Sequence, residues 1–405
     1  MKILFVTHFN QVPGEKGNSR FIYLANSFVQ NNNSVEIITT SFSHRTKCQR
    51  EVTEDELKKL SYKLTMLYEP GYKKNVSLKR FYSHYILGKN LKKYLNRMEE
   101  KPDVIYCSVP SLDVAKQAAK YAKKNNIRFI IDVQDIWPEA FKMVFNVPIL
   151  SNIIYFPMKK QADYIYKSAD DIVAVSETYA NRAAIVNKKY NKKLSVFLGT
   201  DLAYFDKCRD ENLVQYDDNK IRLAYIGTLG HSYDLTNVID AIAMLKEKGR
   251  ENIKFVVMGD GPLKEKFENY AREKNIDCEF TGRLEYPKMV GILCSCDIAV
   301  NPISKGAAQS IINKVGDYAA SGLPVINTQE CKEYRDLVEN YNMGYNCNNN
   351  DAIDLSDKIE ELITNTEKMK ELGKNNRKLA EEKFDRRTTY QEIIKLVEEN
   401  DEKNS

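Results

Sequence analysis

The chain has 405 residues, 43% hydrophobic and 29% charged, with a formal net charge of +5. That balance excludes a collagen, a disordered chain and a disulfide miniprotein, and the length suits two domains of about 100–200 residues each. No run approaches the roughly 18 consecutive apolar residues of a spanning helix. Met1-Lys2 leads directly into a β-type run with no secretory signal, so a reducing cytoplasm is the expected compartment.

Short apolar runs alternate with amphipathic stretches through the first half. Lys2–Thr7 predicts a buried strand, followed by a polar loop with Pro13, Gly14 and Gly17 and a helix from about Ser19 to Gln30. Val35–Thr39, Asp103–Cys107, Arg128–Val133 and Asp171–Val175 predict further strands, with Leu112–Lys124 a helix between two of them. Lys220–Ile226 restarts the pattern. Strands are then expected at Lys254–Met258, Cys278–Phe280, Asp297–Asn301 and Pro324–Asn327. Helices are expected at Leu235–Lys248, Pro262–Lys274, Pro287–Ser295 and Ile311–Ser321, and the last 50 or so residues read as helical. Continuous apolar strands separated by helices indicate parallel sheets covered on both faces. Two such α/β units follow one another, with the Asp- and Asn-rich stretch Asp210–Asn219 as a plausible linker.

Charge divides unevenly between the halves. Residues 1–200 carry 32 basic and 18 acidic side chains; residues 201–405 carry 29 and 38. An anionic partner of the first half is one explanation, and a solvated lysine-rich face is the other. Lys73, Lys74, Lys79, Arg80, Lys89, Lys92, Lys93 and Arg97 are interleaved with Tyr72, Phe81, Tyr82, Tyr85 and Ile86. That mixture suits an anionic membrane surface and a lipid diphosphate better than nucleic acid, for which no module is visible. For the apolar stretch Val147–Met158, core packing is the preferred role over membrane contact. The eight cysteines lack zinc-site spacing, and the four histidines His8, His44, His84 and His231 are scattered, so no metal is expected.

Three loops have the make-up of phosphate cradles. Gly17-Asn18-Ser19 and Gly227-Thr228-Leu229-Gly230 each lie between a strand and a helix, where glycine admits a ligand and helix N–H groups face it. Both also fit ordinary tight turns, as does Gly259-Asp260-Gly261-Pro262. The richest stretch is NPISKGAAQSIINKVGDYAASGLPVIN, residues 301–327. A helix beginning near Ser310 would offer its amides to a diphosphate, with Lys314 adding a cation and Asp317 accepting from sugar hydroxyls. Gln309 and Asp317, eight residues apart, would lie roughly 80° apart on a helix of 3.6 residues per turn. A capped surface helix with an ordinary Lys/Asp pair fits equally well.

These residues resemble the nucleotide-sugar site of glycosyltransferase family 4, of the GT-B fold. The family's E-x7-E frame followed by G-x-P-V falls on Gln309, Asp317 and Gly322-Leu323-Pro324-Val325. Asn313-Lys314-(x2)-Asp317-Tyr318-(x3)-Gly322 and Asp135-Ile136-Trp137-Pro138-Glu139 resemble a bacterial branch that builds capsule, O-antigen or exopolysaccharide. Tyr225-Ile226-Gly227-Thr228-Leu229, the Gly259–Pro262 turn, Phe280-Thr281-Gly282-Arg283, Ser176-Glu177 and Gly199-Thr200-Asp201 match other segments in order.

The resemblance implies two Rossmann-like domains facing across a cleft. It divides the chain into an acceptor-binding domain, residues 1–205 with the C-terminal helix 386–405, and a donor-binding domain, residues 206–385. It implies a retaining, metal-independent transferase that takes a sugar from a nucleotide-diphosphate sugar, a UDP-sugar first among them, to a lipid-linked or saccharide acceptor. No cofactor is expected. Gln309 and Lys314 would stand at the reacting groups. Gly17, Asn18, Gly227, Thr228, Arg283, Ser310, Ile311, Asn313 and Asp317 would hold the donor. Lys73, Lys74, Lys79, Arg80, Ser108 and Asp135 would face the acceptor or the inner face of the membrane. The chain departs from the family in four places. Gln309 replaces a glutamate; Asp317 is one methylene short; Thr228, His231, Ser232 and Tyr233 fill the turn of the usual Arg/Lys pair; and Ser108 stands for a histidine. A non-catalytic nucleotide-sugar-binding subunit and a nucleotide-sugar epimerase or hydrolase are the alternatives.

Overall fold

The computed structural model describes the whole chain except residues 16, 18, 76, 144–146, 148, 149, 308, 309 and 400–405. Two compact units result: Met1–Val196 with Tyr390–Ser405, and Phe197–Thr389. The first unit holds seven strands, β1 (Lys2–Val6), β2 (Ser34–Thr40), β3 (Lys63–Leu67), β4 (Val104–Val109), β5 (Arg128–Val133), β6 (Asp171–Ala174) and β7 (Lys193–Ser195). They pair in the order β3-β2-β1-β4-β5-β6-β7, and every pairing is parallel.

The second unit repeats the plan with β8 (Ile221–Ile226), β9 (Ile253–Met258), β10 (Cys278–Gly282), β11 (Ile298–Asn301), β12 (Val325–Asn327) and β13 (Gly344–Asn346). Their order is β10-β9-β8-β11-β12-β13, again parallel. In each sheet the winding reverses beside the first strand, between β1 and β4 and between β8 and β11. Such switch points leave a crevice beyond the carboxyl ends of the two strands.

Side-chain alternation explains why both faces are covered. Ala224, Ile226, Val256 and Met258 join a core on one face of the second sheet, with Val315, Tyr318 and Phe384. Leu223, Tyr225, Phe255 and Val257 join the core on the other, with Leu235, Ile239 and Ile242. Successive residues of a strand point to opposite faces, so a run apolar at every position needs a helix layer on each side. Each fully buried aliphatic or aromatic side chain contributes about 1.5–3 kcal/mol of transfer free energy.

The sequence-based boundary at 205/206 falls inside the helix Leu202–Asn212. Leu202, Phe205 and Cys208 of that helix pack in the second unit's core, so its apolar face assigns it there. The C-terminal helix Arg386–Glu398 supplies Tyr390, Ile393, Ile394 and Val397 to the core of the first unit. Three short strands, β3, β7 and β13, were absent from the sequence-based reading. Each is an edge strand of three to five residues with no fully buried position, so none carries a strong apolar run.

Val147–Met158, expected mainly in the core, is largely at the surface where it is described. Val147, Leu150, Ile153, Ile154 and Phe156 are all exposed, because the buried stripe of helix Leu150–Lys167 is carried by Ser151, Ala162, Ile165 and Tyr166. Leu78, Phe81, Tyr82 and Tyr85 are likewise exposed on helix Leu78–Leu95. Phe141 links the two groups, 6.1 Å from Phe81 and 6.2 Å from Tyr155 between ring centroids.

Candidate functional site

The switch point of the second sheet organises the residues that the sequence singled out there. β8 ends at Ile226 and β11 at Asn301, and the helix Lys314–Ser321 is pinned beneath both. Its Tyr318 hydroxyl accepts from the Ile226 amide at 3.0 Å and donates to the Val300 carbonyl at 3.0 Å. Gly322, at φ +70°, ends the helix in the left-handed conformation that glycine adopts without strain.

That helix starts later than expected, at Lys314 rather than near Ser310. The Ser310 carbonyl is taken by the buried Gln329 Nε2 at 2.7 Å, which removes it from the helical ladder. Val315 and Gly316 instead bond back to Ile312 and Asn313, the tighter three-residue spacing. Gln329 belongs to a buried amide relay. Asn301 Nδ2 donates to Asn327 Oδ1 at 2.9 Å, and Asn327 Nδ2 donates to Asn346 Oδ1 at 2.8 Å. The relay ties the carboxyl ends of β11, β12 and β13 to the loop before the helix. It went unnoticed in the sequence because its members are dispersed amides with no motif.

Lys314 is the most telling side chain. Its Nζ is buried and has no hydrogen-bond partner. The rings of Tyr225 and Tyr233 flank it, with Nζ 4.0 and 3.9 Å from their centroids. Burial holds its pKa well below the ordinary lysine value. Gly227 makes room for it: at φ +135°, an added Cβ would sit 2.7 Å from Nζ. Ser310 Oγ is a second buried polar atom without a partner, one turn's length earlier in the chain. Asn313 is exposed and makes no side-chain cap bond, and Ile311 is half-buried. Gln309 lies outside the described residues.

Asp317 follows Lys314 by three residues without pairing with it. Its Oδ1 accepts from Tyr286 OH at 2.9 Å and from Thr200 Oγ1 at 3.3 Å. Burial pushes its carboxyl up to about 6, against the lowering effect of these two hydroxyls and of Arg386. Arg283 is exposed just past β10, two strands away from β8 in the sheet.

Thr228 is exposed, and its carbonyl accepts from Tyr225 OH at 2.7 Å. The helix after this turn is capped by Asp234, whose carboxylate accepts from the Asn237 amide. That helix end therefore carries its own anion, and Gly227 is explained by the approach of Lys314. Gly259 and Gly261 press against the same turn, where an added Cβ would overlap the Gly227 and Leu229 carbonyls.

In the first unit, Gly17 precedes the helix Arg20–Gln30, whose N-cap is Ser19. Ser19 Oγ accepts from the Phe21 and Ile22 amides, and an added Cβ at Gly17 would meet the Gln11 side chain. Asn18 lies outside the described residues. Ser108 is buried near the end of β4. Asp135 accepts from Trp137 Nε1 at 3.1 Å and from the Ile136 amide at 2.9 Å, which orients the indole. Arg80 lies over that indole at 4.8 Å and over Tyr72 at 5.6 Å. Lys73, Lys74 and Lys79 are exposed.

Residues 209–379 match the family model described as glycosyl transferases group 1. That span, the greater part of the second unit, is similar to the glycosyl transferases of this group. The chain is 24% identical over 251 residues to an uncharacterized glycosyltransferase of Methanocaldococcus jannaschii, covering 61% of this chain and 63% of the relative. It is 24% identical over 302 residues to a Campylobacter jejuni α-1,4-N-acetyl-D-galactosaminyltransferase named for a saccharide-PP-undecaprenol, covering 70% and 77%.

Among solved structures, sucrose-phosphate synthase from Thermosynechococcus elongatus superposes with a TM-score of 0.72 at 14% identity, covering 98% of both chains. Anabaena HepE in complex with UDP superposes at 0.68 and 14% identity, covering 98% and 99%. With its two doubly wound parallel sheets, the chain shares the GT-B fold with these structures.

Proposed function

We propose that the protein transfers a sugar from a nucleotide-diphosphate sugar, a UDP-sugar first, to a lipid-linked or saccharide acceptor of cell-surface polysaccharide synthesis. The observation that carries this reading is the buried, partnerless Nζ of Lys314 at the start of a helix whose N-cap residue makes no side-chain bond. An amine placed there lacks a partner, and a bound diphosphate favours its ammonium form and meets it together with the first-turn amides. The resemblance to family 4 and the UDP in the HepE complex support the choice of donor.

In this mechanism the chain's own groups act on the leaving diphosphate. Lys314 and the helix amides stabilise its developing charge, and Ser310 Oγ supplies a further donor. Asp317 accepts from the ribose hydroxyls, held in place by Thr200 and Tyr286. Transfer is retaining and metal-independent: the departing phosphate takes the acceptor's proton, and no carboxylate nucleophile is needed. Gln309 in place of the family's glutamate is compatible with that chemistry.

The acceptor is assigned to the first unit, whose basic and aromatic surface on helix Leu78–Leu95 suits a peripheral site on an anionic leaflet. The saccharide-PP-undecaprenol in the Campylobacter relative's name is consistent with such an acceptor. Among the described residues no helix is long and apolar enough to cross a membrane. Two experiments test the proposal. A thermal-shift panel of UDP, GDP, ADP and dTDP should show stabilisation by one of them. A labelled-donor assay with membrane lipid extract should then show transfer that Lys314→Met abolishes. Stabilisation without transfer from any labelled donor would indicate the non-catalytic binding subunit instead.

A further inference from the structure

The first unit holds a buried polar cluster that the transfer reaction does not use. His8 stands two residues past β1, Glu69 two past β3, and His84 lies in helix Leu78–Leu95. Their exposures are 3%, 0% and 3%. One ligand-competent atom from each lies within 4.8 Å of the others. His8 Nε2 is 2.7 Å from Glu69 Oε2, and His8 Nδ1 is 2.7 Å from Ser111 Oγ. Thr40 Oγ1 and Ser83 Oγ donate to the two Glu69 oxygens, each at 2.7 Å. His84 Nε2 is buried with no hydrogen-bond partner.

A proton alone closes this network poorly. Among the described residues no lysine or arginine pairs with Glu69, which faces His8 instead. The His84 ring packs edge-on against the His8 ring, with centroids 4.5 Å apart, and its Nε2 stays unpaired. Arg80, one turn earlier on the same helix, adds no partner, since its guanidinium lies over Trp137 and Tyr72. An ion bound by all three groups neutralises the carboxylate and gives Nε2 a partner at once. The outer contacts already have the pattern of a ligand set: the second nitrogen of His8 and both oxygens of Glu69 are fixed by hydroxyls.

We propose that His8, Glu69 and His84 bind one divalent transition metal ion, zinc by their donor chemistry. Two imidazoles and a carboxylate match zinc rather than the all-oxygen sets of magnesium or calcium. On binding, His8 Nε2 gives its lone pair to the ion, with no change of oxidation state. The ion clamps the segments that follow β1 and β3 to helix Leu78–Leu95. Spacing in the sequence could not show this site, because its ligands come from three distant segments.

Metal-free full-length protein titrated with Zn2+ and Co2+ tests the assignment. The expected result is about one equivalent of either ion bound, with visible Co2+ bands of a low-coordinate site. His84→Ala and His84→Gln should abolish binding, and Ser111→Ala should weaken it by about 10–100-fold. His231→Ala, at an exposed histidine of the second unit, should bind as the parent does. Circular dichroism verifies the fold of each variant. No uptake by the parent protein overturns the proposal, as do bands lost in His231→Ala. If both His84 variants misfold, Ser111→Ala decides: unchanged affinity overturns the site.

Discussion

Thr200 Oγ1 lies 3.3 Å from Asp317 Oδ1, joining the segment that leads into the second unit to the helix that follows β11. The approach depends on Gly316, where an added Cβ would stand 2.8 Å from that hydroxyl. The Thr200 amide in turn bonds the Phe384 carbonyl at 2.7 Å. The proposed ribose acceptor is therefore held from two chain segments far apart in sequence.

Its protonation sets the first prediction. Burial raises the Asp317 carboxyl to about 6. The folded state thus keeps a proton that the unfolded chain has lost by about pH 4. Asp317's contribution to stability is favourable at low pH and declines as pH rises through the window from about 4 to 6. Ribose hydroxyls bond the ionised form best, so affinity for a UDP-sugar should rise between pH 5 and 7, a range where its diphosphate does not titrate. Calorimetry should show that rise, and Asp317→Asn should flatten it.

Lys314 should show the opposite linkage. Burial favours its neutral amine, and a bound diphosphate favours the ammonium. Binding of a UDP-sugar at pH 8 should take up a proton, measured as a dependence of binding heat on buffer ionisation enthalpy. Lys314→Met should remove the uptake and weaken binding by roughly 10–100-fold, the 1.5–3 kcal/mol of a charge-assisted bond. Gly227→Ala should mimic that loss, because the new methyl occupies the space beside Nζ.

A stability prediction concerns the first unit. Arg20 Nε lies 3.1 Å from Asp132 Oδ2, both side chains are almost fully buried, and Tyr106 OH donates to the same oxygen at 2.8 Å. Asp132→Ala leaves Arg20 charged in the core, and chemical denaturation should register a loss of about 3–5 kcal/mol. A smaller loss would mean that solvent reaches the guanidinium in the variant.

Membrane contact is tested at the surface. Vesicles containing anionic lipid should sediment the protein, with a strong dependence on salt. Lys73→Ala, Lys74→Ala and Lys79→Ala should each reduce the binding free energy by about 1 kcal/mol. Ile153→Asp with Ile154→Asp should abolish insertion while leaving binding of UDP-sugar intact. Equal sedimentation of that double variant would assign the exposed apolar surface another role.

Much of this was legible in the sequence. The central strands announced themselves because buried parallel strands are apolar at every position, and the small-residue loop before Lys314 marked the switch point. The edge strands β3, β7 and β13 were silent because half-covered strands lose that signal. The sequence singled out the stretch from Asn301 to Asn327 but not the contacts its parts make. The value of Gly227 lies in the room it leaves for a lysine 87 positions away, and Ser310 is held by Gln329. Such pairings are set by tertiary packing, to which local pattern is blind. The histidine and glutamate cluster was hidden for the same reason.

The return of the chain's last helix to the core of the first unit bears on how the protein can be dissected. A fragment ending at Val196 would lack Tyr390, Ile393, Ile394 and Val397, along with the Leu396, Val397 and Glu399 carbonyls that Arg128 grips. Recombinant production of the amino-terminal half therefore calls for residues 390–399 to be grafted back through a short tether, as in a circular permutant. A truncation that looks conservative on a linear map would open the hydrophobic interior of a half it never touches.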